Sequence, residues 1–209
     1  LGGAQEHFAV VPDLACFGKG LANGMPLSVV CGRADVMAEM EEIFFSATFG
    51  GEALSLAAAI AVVDKMRREP VIETLWRTGR ALAEGLGNRI QLHGLEDVVA
   101  MSGLPPWTLL VFNDHAGARK AAIRTFVLSH LMDRGILTVG SHNVCYAHTD
   151  RDVETVLAAY DHVLGALATE LDTGRLEDRL GIPVIEPVFT IRPEPTVVAP
   201  VLRAAKTGS

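Results

Sequence analysis

Residues 13–28 read DLACFGKGLANGMPLS, and the fold and chemistry that we predict for the chain follow from this stretch. Its centre is Lys19, the only charged residue between Asp13 and Arg33. The apolar run at 14–17 is typical of a buried strand. Burial disfavours the charged form of an amine, and the neutral amine is the species that forms a Schiff base. The pattern indicates a reactive lysine at the end of a buried strand, among glycines that let a ligand approach the backbone: Gly18, Gly20 and Gly24.

The order of the whole stretch matters more than the Lys-Gly dipeptide, because an isolated Lys-Gly dipeptide usually belongs to a solvated loop. VPDL at 11–14, the apolar strand, GKG at 18–20 and GMPL at 24–27 follow one another. This order resembles the active-site lysine segment of class III aminotransferases, which are pyridoxal-phosphate enzymes of fold type I. Within that class the likeness is greatest to glutamate-1-semialdehyde aminomutase and its relatives, tightly over 11–63 and more loosely beyond.

The resemblance implies an α/β protein of fold type I that uses pyridoxal 5′-phosphate (PLP). It gives Lys19 both roles of the family's lysine: the Schiff base to PLP and, after release by the substrate, proton transfer as general base and acid. PLP acts as an electron sink for the carbanion left when a Cα–H bond breaks. The alternation of predicted strands and helices argues separately for an α/β fold.

The second position that the resemblance carries over is Thr48. In the family a threonine here contacts the cofactor phosphate in the neighbouring subunit, which implies a homodimer with a shared active site. A hydroxyl and free backbone amides at a helix start suit a phosphate. On its own, a threonine before a helix is more often an N-cap. Many relatives have Ser-Gly-Asn-Pro after this threonine, where the chain has FGGE at 49–52.

The composition describes a folded globular protein of 209 residues, with 49% hydrophobic and 21% charged residues. A net charge of -7 with dispersed basic residues gives no footprint for nucleic acid or an anionic membrane. The apolar stretch at 53–63 is too short to span a bilayer, and no signal peptide is evident. We therefore expect a cytoplasmic protein. In such a reducing compartment the three cysteines are expected to be small core residues: Cys16, Cys31 and Cys145.

The position of the lysine predicts that the chain is the later part of a longer protein, because Leu1 stands so close to Lys19. The family's glycine-containing phosphate loop, its ring-stacking aromatic residue and its pyridine-nitrogen aspartate all lie upstream of the lysine. Asp13 is too close to Lys19 to be that aspartate. We expect little turnover from these residues alone and a competent enzyme in the parent protein.

The first seventy residues are expected to close a large PLP-binding domain (1–70), with a boundary near Pro70. Their predicted elements are a loop at 1–12, buried strands at 14–17 and 26–32, a helical stretch at 33–42, a loop at 44–52, and a helix at 53–66 that is apolar on nearly every face and so enclosed by protein.

The remaining residues, 71–209, are expected to form a small C-terminal α/β domain. Their predicted elements are a helix at 71–86 capped by Gly87-Asn88, strands at 98–101, 108–112 and 136–139, a helix at 116–134 ended by Gly135, a helix to about 171 opened by a capping-box-like start at Thr149, and a tail that is loose from 193.

Other polar residues give weaker signals. The group His142, Asn143, Tyr146 and His148 either lines a substrate entrance or, somewhat more often in such loops, satisfies its own backbone. We predict no metal site, since His142 and His148 are six apart with no third ligand nearby. Trp107 is expected in the core. Any arginine is a candidate for a substrate carboxylate, and none is selected among Arg124, Arg134 and Arg192.

Three functional hypotheses follow. The leading one is PLP-dependent amino-group transfer, by an aminotransferase or an aminomutase, on an amino acid, amine or amino-aldehyde. A racemase or decarboxylase of the same family would share the lysine segment. The third is a truncated, non-catalytic module for dimerisation or binding, which the missing upstream residues favour and the presence of Lys19 and Thr48 opposes.

Overall fold

The computed structural model describes residues 1–186 of the chain. The chain divides into two compact units, Leu1–Ile72 and the residues from Glu73 onward, which we call unit 1 and unit 2. Each unit is described by itself. None of the helices within the described residues is long and apolar enough to cross a membrane.

Unit 1 is built around a two-stranded antiparallel ribbon. Leu14 pairs with Gly32 and Phe17 with Val29. The elements of unit 1, in chain order, are α1 (Gly3–His7), β1 (Leu14–Phe17), a 3-10 turn (Lys19–Leu21), β2 (Val29–Gly32), α2 (Ala34–Met37), a 3-10 turn (Ala38–Glu41) and α3 (Ala53–Arg68). The predicted strands, the helical stretch, the loop before α3 and α3 itself are confirmed as elements, whereas the predicted loop at 1–12 contains α1.

The predicted burial of unit 1 is wrong. In the ribbon, Leu14 is 46% exposed and Val30 is 39% exposed, and on α3 Ile60 is 64% exposed. The physical reason is that one ribbon and one long helix cannot cover both faces of a sheet and all sides of an apolar helix. Cys16 and Cys31 lie on the ribbon and are exposed as well, not in a core.

Unit 2 contains the hydrophobic core. Its antiparallel sheet has the strand order β3 (Val99–Leu104), β4 (Trp107–Phe112), β5 (Ser141–Asn143). The helices of unit 2 are α5 (Lys120–Met132), α6 (Asp150–Thr173) and α7 (Leu176–Arg179), and α4 (Val71–Leu92) begins at the end of unit 1. The residues that are fully buried at the centre of the core are Leu86, Ile123, Val127, Leu131, Val163 and Leu167.

Helix α4 runs past its predicted end. The expected cap at Gly87-Asn88 is wrong, because the helix continues to Leu92 and keeps its apolar face on the core through Ile90. The chain turns at Gly94, whose φ of +66° is the left-handed conformation that glycine adopts most readily. Tertiary packing therefore outweighs the local helix-ending signal.

The third strand is also displaced from its prediction. Residues 136–139 form no strand, and Leu137 and Val139 are 83% and 73% exposed. Pairing begins instead where the Gly140 carbonyl accepts the amide of Leu110 at 2.8 Å, which places His142 and Asn143 in β5 and not in a loop.

Helix α6 begins as predicted. The Thr149 hydroxyl accepts the amide of Asp152 at 3.3 Å, and the Asp152 carboxylate accepts the amide of Thr149 at 2.7 Å, which completes a capping box.

Two predictions of burial in unit 2 are wrong, since Trp107 is 55% exposed at the start of β4 and Cys145 is exposed. The tail predicted to be loose from 193 lies outside the described residues.

Candidate active site

Lys19 lies where β1 ends and the chain turns. Gly18 is extended, and Lys19 itself has a φ of +50°, in the left-handed region that residues other than glycine seldom occupy. The turn is closed by hydrogen bonds from the amide of Leu21 to the Gly18 carbonyl (3.1 Å) and from the amide of Ala22 to the Lys19 carbonyl (3.4 Å). The side chain is exposed, so the predicted buried lysine is wrong for the described part of the chain.

The lysine turn packs against α3, and the ribbon that leads to it is closed at its other end by a separate set of contacts. Ala22, directly after it, is 1% exposed, and the turn contacts α3. At the other end of β1, Arg33 pairs with Asp13 at 2.9 Å and donates its amide to the Asp13 carbonyl at 3.0 Å. A side chain at Gly32 would collide with that carbonyl, so glycine is required where the ribbon closes.

Thr48 lies in a double turn that leads into α3. The amide of Gly50 donates to the Ala47 carbonyl at 2.9 Å, and the amide of Glu52 donates to the Phe49 carbonyl at 3.2 Å. Gly51 supplies a φ of +73°. Thr48 is exposed on the first of these two turns, and the lysine turn and α3 are in contact within the same unit.

The residue that caps α3 is Glu52, not Thr48. Its carboxylate accepts the amides of Leu54 (2.9 Å) and Ser55 (2.7 Å) and the hydroxyl of Ser55 (2.6 Å). These bonds, that from the Ser55 hydroxyl first, lower the pKa of Glu52 below its ordinary value. The amides of Leu54 and Ser55 are therefore not free, contrary to the prediction for this helix start, and the alternative that Thr48 is the N-cap is wrong.

The residues of unit 1 fit a phosphorylated aldehyde cofactor in kind. An amine at Lys19 matches an aldehyde, and within residues 1–186 no hydrogen bond or ion pair holds that amine. A Cβ built on the neighbouring Gly20 would meet nothing within 4 Å, so the space beside the lysine is open. The hydroxyl at Thr48 is a donor suited to a phosphate oxygen.

The histidine group predicted near a substrate entrance divides in two. His142 is buried, with Nδ1 2.9 Å from the Thr108 hydroxyl and Nε2 2.7 Å from the Tyr160 hydroxyl. Burial lowers the pKa of His142 and raises that of Tyr160. His148 accepts the amide of Cys145 at 3.1 Å, as a loop satisfying its own backbone would.

Part of the same group lines a cavity in unit 2. The cavity measures about 480 Å³, and its polar lining includes Thr78, Thr138, Asn143, His148 and Asp152. Thr138 and Asp152 are already bonded within the protein, through the Ser141 carbonyl and the Thr149 amide. The Thr78 hydroxyl, by contrast, is buried without a hydrogen-bond partner among the described residues.

The arginine candidates are engaged or undescribed. Arg124 donates to the Val139 carbonyl and Arg134 to the His130 carbonyl, each at 3.0 Å, while Arg192 lies outside the described residues.

Two features of these sites were not predicted from the sequence: the capping of α3 by Glu52 and the hydrogen bonds of His142. The signal for Glu52 was present, since a carboxylate three residues before Ser55 reverses the order of the usual capping box.

Comparisons with known proteins place this geometry in context. A family model described as "Aminotransferase class-III" matches residues 3–150. The aminopentol aminotransferase of Sphingopyxis macrogoltabida is 32% identical over 163 residues, covering 77% of this chain and 37% of the relative. The glutamate-1-semialdehyde 2,1-aminomutase of Acetivibrio thermocellus is 30% identical over 173 residues, covering 75% of this chain and 39% of the relative.

A solved structure agrees with these sequences. The PLP internal aldimine form of the FumI protein of Sphingopyxis sp. MTA144 superposes with a TM-score of 0.73 and 29% identity, covering 85% of this chain and 42% of that chain. The predicted α/β fold of type I is confirmed. The chain spans about two fifths of the length of the curated relatives that it matches.

Proposed function

The chain belongs to the class-III aminotransferase family, and from this premise we propose that it supplies the cofactor lysine, Lys19, of a PLP-dependent aminotransferase or aminomutase. The family is PLP-dependent, so the predicted family, enzyme class and cofactor are confirmed at that level. The assignment of Lys19, and the division into the end of a large PLP domain (1–70) and a small domain (71–209), are our proposals.

The backbone of Lys19 is the observation that carries the proposal. A lysine with φ +50° is held by its turn in a conformation that costs free energy, and such strain is concentrated at functional sites. Ala9 (φ +53°) and Asn23 (φ +46°) share this conformation, and of the three only Lys19 has an amine that can form a Schiff base. The turn presents the amine at the end of β1, in open space beside Gly20. Lys65, on α3, offers a contrast, since its amine is bound to Glu69 at 2.8 Å.

The chain's own residues would divide the work as follows. When bound, PLP supplies the electron sink that stabilises a carbanion at the substrate's Cα. The Nζ of Lys19 would hold the cofactor covalently and, when free, would carry a proton between the substrate's Cα and the cofactor's C4′. The Thr48 hydroxyl would donate to the phosphate of a bound cofactor from its place in the double turn at 47–52.

The shared site is part of the proposal. Thr48 would serve the cofactor held by the neighbouring subunit, which requires a homodimer. A mixture of Lys19→Ala and Thr48→Ala chains tests this, because a mixed dimer contains one complete site and should recover part of the PLP binding that each variant lacks alone. Mixing without recovery would argue against sharing.

The substrate class is proposed from the relatives. One relative is named an aminopentol aminotransferase and another a glutamate-1-semialdehyde aminomutase, so the matches span amino alcohols and amino-aldehydes. We infer an amino acid, amine or amino-aldehyde substrate for the parent protein. The cytoplasmic location stays a prediction.

The test of the proposal is the visible spectrum of the purified chain titrated with PLP. We expect a cofactor band that saturates with PLP, is absent from Lys19→Ala, and persists in Lys65→Ala, the matched control. A band of equal strength in Lys19→Ala would refute the assignment of the lysine. Conversion of the band by amino donors would then separate transfer from the racemase and decarboxylase alternatives. A chain without any band would leave two cases, a fragment that needs its upstream half and the non-catalytic module, and the same titration of a chain extended upstream would separate them.

A further inference from the structure

Glu52 ties the loop that carries Thr48 to the first turn of α3. Its carboxylate makes three bonds to two residues, and one of these, Ser55, is the only fully buried residue of that helix. A glutamate is ionised at neutral pH, and bonds to an ionised acceptor are stronger than neutral ones; the same bonds lower the pKa of this carboxylate. Glu52 is therefore the fixed end of the loop.

The loop reaches from that fixed end back to Thr48 through its backbone. The Glu52 amide donates to the Phe49 carbonyl, and the Gly50 amide donates to the Ala47 carbonyl, so Thr48 lies within a chain of turns anchored at the cap. Gly50 and Gly51 would otherwise make the segment adaptable, since glycine has the widest conformational freedom. Without the cap, these two short turns would have to hold the loop alone.

We propose that Glu52 is a positioning residue for the cofactor phosphate: by capping α3 it fixes the double turn that presents Thr48. This inference rests on the proposed function of Thr48. It also excludes the amides of Leu54 and Ser55 as the phosphate site, because the Glu52 carboxylate already occupies them.

The charge of Glu52 and its positioning role would change cofactor binding in opposite directions, so the sign of the change tests the inference. A carboxylate close to a phosphate repels it, so a residue acting only through its charge would weaken cofactor binding and its removal would strengthen binding. A positioning residue acts in the reverse direction, and its removal weakens binding. Aspartate is also a good N-cap, so Glu52→Asp should restore the position.

The experiment compares the dissociation constants of PLP and pyridoxal, which lacks the phosphate, for the unmodified chain and its variants. We expect Glu52→Ala to lower the preference for PLP by about fivefold, the equivalent of losing a helix cap. Glu52→Asp should stay within about twofold of the parent, and Asp64→Ala, which removes the same charge near the other end of α3 and leaves the pair of Lys65 and Glu69 intact, should change nothing. Pyridoxal binding should be the same in all of them.

A further pair of variants separates positioning from folding. If Glu52→Ala unfolds, Glu52→Gln keeps one carbonyl acceptor and should show a smaller loss in the same direction. Adding Thr48→Ala to Glu52→Ala should cost little more than either change alone, because both remove the same contact. Unchanged or stronger PLP binding in Glu52→Ala, or fully additive losses, would overturn this inference alone. Failure to bind PLP both by the unmodified chain and by a chain extended upstream to include the family's phosphate loop would overturn the proposed function as well.

Discussion

The Nε2 atom of His142, in β5, lies 2.7 Å from the hydroxyl of Tyr160, in α6, inside the core of unit 2. The two rings meet edge to face, with their centroids 5.5 Å apart. Since Nδ1 of the same imidazole contacts the Thr108 hydroxyl on β4, one side chain joins three elements of the fold. A buried polar contact of this kind stabilises only while every member keeps its partner.

Removing the Tyr160 hydroxyl tests that dependence. Tyr160→Phe leaves Nε2 of His142 buried without its partner, and we expect the free energy of unfolding to fall by about 1–3 kcal/mol. Thr169→Val is the control, because it removes an exposed hydroxyl from the same helix and should change stability by less than about 0.5 kcal/mol. Urea unfolding of both variants measures the difference, and equal losses would contradict the account.

The pH dependence of stability reports on His142. Burial lowers the pKa of His142 in the folded protein below the ordinary value of 6.5. As the pH falls below 6.5, the unfolded chain therefore binds this proton before the folded one does, so stability is lost with acidity and is fully present above that pH. The slope from one such group cannot exceed about 1.4 kcal/mol per pH unit.

The measurement is chemical unfolding of the whole chain at several pH values between neutral and mildly acidic. His142→Gln should remove this part of the pH dependence while lowering stability at every pH. His162→Gln, at an exposed histidine on α6, should leave it intact. A pH dependence that survives unchanged in His142→Gln would show that other groups cause it.

Two glycines of α4 make a matched pair. A Cβ at Gly79 would collide with the backbone of Pro105 in the β3–β4 turn, whereas a Cβ at Gly87 would lie 3.8 Å from the flexible end of Met101. We expect Gly79→Ala to destabilise unit 2 by about 1–3 kcal/mol and Gly87→Ala to stabilise it by roughly 0.5–1 kcal/mol. Thermal unfolding of both variants decides, and a neutral Gly79→Ala would mean that the turn yields freely.

Backbone protection should differ sharply between the two units. In unit 1 the only buried residues are Ala22, Ser55 and Val71, while the core of unit 2 joins α5 and α6 through many fully buried side chains. Amides open in proportion to the packing that holds them, so those of α5 and α6 should exchange last and those of β1 and β2 first. Hydrogen exchange followed by mass spectrometry measures this order, and equal protection in both units would contradict it.

Local chemistry made part of the fold predictable. The Thr149 capping box and Gly135 at the end of α5 are signals contained within a few residues, and both stand in the structure. The strand expected at 136–139 failed for a different reason: its pairing depends on Gly140 meeting Leu110, some thirty residues earlier in the chain, and no local pattern encodes that contact.

The site was predictable in its residue types more than in its surroundings. The order of 11–27 led to the family, and the structure places Lys19 and Thr48 in the same unit. The pattern could not reveal the strained backbone of Lys19, because a φ of +50° results from how the turn closes. It also overestimated burial, since an apolar run indicates a surface to be covered and does not say whether the described residues cover it.

The central claim is that Lys19 is the residue that binds PLP, and the most direct measurement is the mass of each lysine-containing peptide after borohydride reduction with PLP. The sequence has four lysines, at 19, 65, 120 and 206, so the labelled peptide identifies the site without ambiguity. We expect the added mass on the Lys19 peptide at PLP concentrations that leave the other three unlabelled, and no label in Lys19→Ala. Label spread evenly over the four lysines, or concentrated on another one, would contradict the account.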